Sequence, residues 1–227
     1  MATDRNELMR AALAHVPFDG WSDAAFEAAA KDCGLSPDQA RAIAPRGALD
    51  LAVAYHRRGD SQMRAALAAA DLDAMRIRER VTFAVRTRLE LTGDKEVVRR
   101  GTALFALPQN ASEGAALIWG TADAIWDALG DPSDDVNWYT KRGILSGVYS
   151  STVLFWLGDD SEDHQATWAF LDRRIDNVMA FEKFKAGVQG NPLLNRLFSG
   201  PASLLSRIKA PSKTAREDLP GHWPDKI

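Results

Sequence analysis

Apolar residues recur at three- and four-residue intervals along almost all of this chain. No stretch alternates β-branched and polar positions between tight turns, so the pattern predicts an all-α protein. The longest apolar stripe runs through Met63, Leu67, Ala70, Ala74, Ile77, Val81, Val85 and Leu89, which predicts one long helix between Gly59 and Gly93. Polar punctuation sets the other boundaries. Asp4 with Glu7 predicts a capped first helix reaching His15, Ser22 opens a second that ends at Gly34, and Pro17 and Gly20 separate the two. Ser36, Pro37 and Gln39 cap a short third helix stopped before Pro45, and a fourth ends at Gly59. Further helices are predicted over Lys95 to Ala106, Pro108 to Leu129, Asn137 to Leu157 and Ser161 to Lys185, a bundle of roughly nine in all.

Within this pattern the segment from Gly130 to Arg142 places two aromatics, Trp138 and Tyr139, and two cations, Lys141 and Arg142, at a helix start. Asp134 and Asp135 supply its cap and complement its dipole. From Gly143 to Gly158 no residue is charged, and Gly143, Gly147 and Ser151 recur every fourth position. Such a stripe lets another helix approach closely, or leaves room for a ligand beside Val148, Phe155 and Trp156. A membrane span needs about 20 apolar residues. This run is shorter and includes Ser146, Ser150, Ser151 and Thr152, so it reads as a buried helix.

With 227 residues, 46% of them hydrophobic, the chain can bury a full core. The formal charge of -3 removes the general basic excess of a protein that holds nucleic acid through its whole surface. One cysteine, Cys33, excludes an internal disulfide and a cysteine metal cluster. The four histidines form no Glu-x-x-His pair, and no phosphate loop, GxGxxG or GxSxG occurs. No catalytic residue, metal site or cofactor is predicted, which favours binding or scaffolding over catalysis. The first residues carry no apolar signal core and no acid-poor, arginine-rich leader, so a cytoplasmic protein is expected.

Three short helices ahead of a larger helical body resemble the TetR regulators, whose second and third helices enter the major groove. A reading helix needs donors for phosphates and base edges. Here the third offers only Gln39 and Arg41, with Asp23, Glu27 and Asp38 nearby. Residues 1–46 are therefore expected to be a degenerate helix-turn-helix that binds no nucleic acid. The alternative is a ligand-responsive TetR-type transcriptional regulator.

Residues 47–187 would form the larger helical body. From Lys183 to Arg216 no acid occurs while seven Lys and Arg do. Leu193, Leu194, Leu197 and Phe198 make one apolar patch, and Leu204 and Leu205 with Ile208 make another. Basic flanks beside exposed leucine and phenylalanine suit an anionic membrane surface, so residues 188–210 are expected to be an amphipathic membrane-facing helix, or one docked on the bundle. Residues 211–227, with three prolines, read as a loose tail.

Four blocks carry a family resemblance: the Trp138 segment from Asn137 to Arg142, His15 to Ser22, Leu107 to Asn110, and Thr167 to Ile175. In these the chain resembles the COQ-nine ubiquinone-biosynthesis proteins from about Leu8 to Met179. The resemblance implies a TetR-like fold that has lost DNA binding, forms a homodimer and acts without catalysis of its own. It further implies that the helical body holds an isoprenoid quinone precursor or phospholipid and presents it to a demethoxyubiquinone hydroxylase. The protein would sit peripherally on the inner membrane. Carried onto this sequence, Arg142 would meet a lipid headgroup, and Asp123, Ile125, Trp126, Trp138 and Tyr139 would form the partner-binding patch.

Overall fold

In a computed structural model the protein is described over residues 3–190 and 209–211, with side chains through Met179 and again at 209–211. The elements are α1 (Arg5–Ala12), α2 (Val16–Asp19), α3 (Asp23–Asp32), α4 (Pro37–Ile43), α5 (Ala48–Ala69), α6 (Ile77–Glu90), α7 (Lys95–Ala106), α8 (Ala111–Ala128), α9 (Val136–Leu157) and α10 (Gln165–Gly190). Among the described residues there is no strand, so the all-α expectation holds. The expected membrane-facing residues Leu193, Leu194, Leu197, Phe198, Leu204 and Leu205 lie outside the described residues. No described helix is long and apolar enough to cross a membrane.

The chain divides into two compact units. One comprises residues up to Ala69 with Thr87–Leu117; the other comprises Ala70–Arg86 and the chain from Ile118 onward. In the first, α1 packs on α3 and α5, burying Leu8, Met9, Val16, Phe26 and Leu51. Its caps follow the sequence: the Asp4 carboxylate accepts the Glu7 N–H at 2.8 Å, and Ser36 and Gln39 complete a reciprocal capping box. The region read as a separator around Pro17 contains an extra turn, α2, because proline is compatible with a first helical turn. Gly20, at φ 69°, ends it.

The boundaries around Gly59 and residue 70 differ from the sequence expectation. The helix expected to end at Gly59 continues through it to Ala69, because Gly59 is there to admit a neighbour. A Cβ at this position would lie 2.5 Å from Arg88 Cζ, and the buried Arg88 instead donates to Asp60 at 2.7 Å and to the His56 carbonyl at 2.9 Å. Interior glycine costs a helix about 1 kcal/mol, which these bonds offset. The long apolar stripe is also broken, between α5 and α6. Ala70 and Ala74 bring little apolar area to hold a turn, while Glu79 reaches back to the Arg76 N–H at 2.8 Å and fixes the start of α6.

In the second unit α9 packs against α10. Asp135 is the cap of α9 and accepts the Asn137 N–H at 2.8 Å. The helix expected from Ser161 begins at Gln165 after a 3-10 turn with Asp163 and His164 in left-handed conformations. Asp159 secures that start by accepting from the Ser161 and Thr167 N–H groups and from the Thr167 hydroxyl. These bonds hold its carboxyl well below the usual range.

Candidate functional site

The second unit contains a cleft of about 340 Å³. Its walls come from the start of α6 (Ile77, Arg78 and Val81), the end of α8 and the residue after it (Trp126 and Leu129), one face of α9 and Ile175, Val178 and Met179 of α10. On α9 the spacing of Asn137, Thr140, Lys141, Ile144, Leu145 and Val148 follows the three- and four-residue helical repeat, which is why one face supplies all six. The lining is mainly apolar. Its polar groups gather where the α8–α9 connection meets α9, at Asp131, Asn137, Thr140 and Lys141, with Arg78 as the one further charged side chain.

Behind that polar corner Arg142 has no solvent exposure. Its guanidinium donates to Asp123, to Asp131 at 3.1 Å, to Asp127 at 3.3 Å and to the Trp138 carbonyl at 3.3 Å, and lies 4.1 Å from the Trp138 ring centroid. Buried charge survives only when paired and hydrogen-bonded, and four hydrogen bonds from the fixed guanidinium fork meet that condition here. Asp131 is shared. It also accepts from Lys141 Nζ at 2.7 Å and the Ser133 hydroxyl at 2.9 Å. Burial pushes the Asp131 carboxyl up, but bonds from Lys141, Ser133 and Arg142 outweigh it and leave it below the ordinary carboxylate range.

Of the residues expected to contact lipid, Val148 lines the cleft and the others do not. Phe155 stacks on Phe170 with centroids 4.5 Å apart, and Trp156 is buried edge-on against His164. Arg142, expected to face a headgroup, faces protein instead, since a phosphate would have to displace three carboxylates. Among the expected partner residues Trp138 and Ile125 are fully buried, while Tyr139, Trp126 and Asp123 are half-buried. Trp138 packs edge-on against Tyr139 at 4.7 Å, and both rings adjoin Trp119. Trp126 lines the cleft and donates its indole N–H to the Lys141 carbonyl at 3.1 Å.

Sequence reasoning passed over Asp127 and Asp131. Their signal was available: with Asp123 they recur every fourth residue, so a buried cation opposite could engage all three. In the first unit, Arg41 donates to Asp23 at 2.9 Å and Gln39 accepts the Ser36 N–H at 2.8 Å. The two residues of the candidate reading helix that could have read bases are thus engaged within the fold. No group of metal-binding side chains occurs among the described residues.

Comparison with known proteins adds a second line of evidence. The COQ9 family model matches residues 111–182, the segment that contributes most of the cleft. The rat ubiquinone biosynthesis protein COQ9, mitochondrial, is 32% identical over 182 residues, covering 77% of this chain and 58% of that protein. A probable mitochondrial coq9 from Dictyostelium discoideum is 29% identical over 192 residues, covering 81% and 62%. The chain thus spans less than two thirds of either relative. Among solved structures, a TetR transcriptional regulator from Nitrosomonas europaea superposes with a TM-score of 0.63 at 20% identity, over 76% of this chain and 95% of that one. That likeness establishes a TetR-like fold.

Proposed function

The chain carries a COQ9 domain over residues 111–182 and is homologous to the COQ9 ubiquinone biosynthesis proteins, and on that premise we propose that it is a non-enzymatic, lipid-binding accessory of that pathway. The observation that carries this reading is the mainly apolar cleft in the second unit, built largely by the family-matching segment. An isoprenoid tail is costly to hold in water, at about 0.8 kcal/mol for each methylene-sized group, so an apolar wall of this kind has a defined use. Catalysis belongs to a partner, a demethoxyubiquinone hydroxylase acting on the presented substrate. Tyr139, half-buried beside the cleft-lining helix face, is the best-placed aromatic for that contact, while Trp138 supports it from below.

The protein works as a homodimer at the periphery of the inner membrane, with the basic segment beyond Lys183 meeting anionic lipid. Residues 1–46 serve as a retained scaffold, 47–187 as the lipid-binding and dimerisation body, 188–210 as the membrane-facing element and 211–227 as a tail. The test is organic extraction of the natively expressed protein followed by mass spectrometry, with Val148→Trp as a cleft-filling control. Isoprenoid lipid carried by the wild type and depleted in the variant supports the reading. Wild-type protein free of lipid overturns it.

A further inference from the structure

We infer that the first unit carries a binding site of its own for a small apolar molecule bearing a single carboxylate, with Arg58 as the charge partner and Gln62 beside it. The site is a pocket of about 250 Å³ that lies wholly within that unit and shares no lining residue with the cleft. Tyr55, Arg58, Gly59 and Gln62 reach it from α5 at three- and four-residue steps, so one helix face supplies all four. Arg88 of α6, residues 91–93 and the start of α7 complete the wall. Bonds already made fix that wall in place. Arg88 donates to Asp60 at 2.7 Å, to the Thr92 hydroxyl at 3.0 Å and to the His56 carbonyl at 2.9 Å, and the Tyr55 hydroxyl donates to the Thr92 carbonyl.

What those bonds leave over identifies the ligand. Arg58 is half-buried and Gln62 exposed, and neither has a hydrogen-bond or ion-pair partner among the described residues. A guanidinium presents its donors as a planar fork that matches a carboxylate with two parallel bonds, and the Gln62 amide, one turn further along α5, can donate another. Charge decides between anions. The charged side chains lining the pocket are Arg58, Arg88 and Asp94, and Arg88 is matched by Asp60. Asp94 is engaged as the α7 cap, accepting the Glu96 N–H at 2.8 Å, and its carboxylate offsets the positive end of that helix. One unmatched cation, in a lining that also holds a carboxylate, suits a single negative charge and disfavours two. Leu13, Leu91, Val97 and the Tyr55 ring supply an apolar wall for the rest of the molecule. At about 250 Å³ the pocket falls below the roughly 300–1,000 Å³ of drug-sized sites, so it suits one ring or a short acyl chain.

Benzoate, its neutral isostere benzamide and phenyl phosphate share one ring and isolate the headgroup. Each is titrated into the full chain and followed by saturation-transfer difference NMR. Benzoate is expected to bind at least about tenfold more tightly than benzamide, the effect of a charge-assisted pair, and several-fold more tightly than phenyl phosphate. Arg58→Met should erase the preference for benzoate over benzamide, Arg58→Lys should restore part of it, and Gln62→Leu should weaken benzoate several-fold. All three variants should keep the wild-type urea midpoint, since neither side chain has a partner among the described residues. Val148→Trp, which fills the cleft in the second unit, should leave benzoate binding unchanged. Absence of benzoate binding, benzamide binding as tightly as benzoate, or benzoate lost with Val148→Trp but kept with Arg58→Met would each overturn the site. Phenyl phosphate binding as tightly as benzoate would overturn the assignment to a single carboxylate.

Discussion

The guanidinium of Arg142 lies over the indole of Trp138, one helical turn earlier on α9, and donates to that residue's carbonyl as well. The pair joins the two ideas that the sequence raised separately, an aromatic recognition element and an anion-binding cation. Both side chains are fully buried, so each acts first on the shape of the α8–α9 connection and through it on the cleft.

Removing the cation leaves Asp131, whose side chain is 1% exposed, without its buried partner. Breaking a buried pair from one side costs about 3–5 kcal/mol. Arg142→Met should therefore lower unfolding stability by that amount in urea titrations, and Arg142→Lys should rescue little, because an ammonium cannot supply the fork that serves three carboxylates. Loss of lipid in either variant would report on folding as well as on binding, which is why Val148→Trp is the better control.

The two neighbouring aromatics should separate in the same way. Trp138→Ala empties a fully buried site and should cost about 3–5 kcal/mol. Tyr139→Ala, at a half-buried position, should cost less than half as much. In a pull-down with the hydroxylase at a temperature where circular dichroism shows the variant folded, Tyr139→Ala should weaken capture; equal capture by the variant would remove Tyr139 from the contact.

His56 in the first unit gives a pH signature. Burial pushes its imidazole down to about 4, with Asp60 opposing and Arg88 reinforcing the change. The folded state thus favours the neutral ring, and the unfolded chain, titrating near 6.5, binds a proton that the folded one does not. Stability should be fully present above about pH 6.5 and fall as pH drops towards 4, by about 3 kcal/mol in all. Urea midpoints across that range should show the decline, and His56→Gln should flatten it.

Much of the fold was legible because local rules coincided with tertiary ones. Asp4, Ser22, Ser36 and Asp135 all cap the helices they precede. Gly59 was misread because a helix-stop signal and a close-approach signal are the same residue; only Arg88, distant in sequence, distinguishes them. The site was harder. Val148 could be placed from the α9 repeat, but Phe155 and Trp156 continue that repeat two turns further along the helix, outside the cleft lining and against Phe170 and His164. Arg142 drew a headgroup reading because a cation beside aromatics looks like a free binding group until the three carboxylates contributed by α8 and the following connection are seen around it.

The central claim is that the α6, α8, α9 and α10 cleft holds the isoprenoid ligand. A photoreactive geranyl benzoquinone, irradiated with the full chain and mapped by peptide mass spectrometry, tests it most directly. Labelling should concentrate in peptides containing Ile77–Val81, Trp126–Val148 and Ile175–Met179, and should fall with Val148→Trp. Labelling confined to other peptides, or unchanged by that variant, would contradict it.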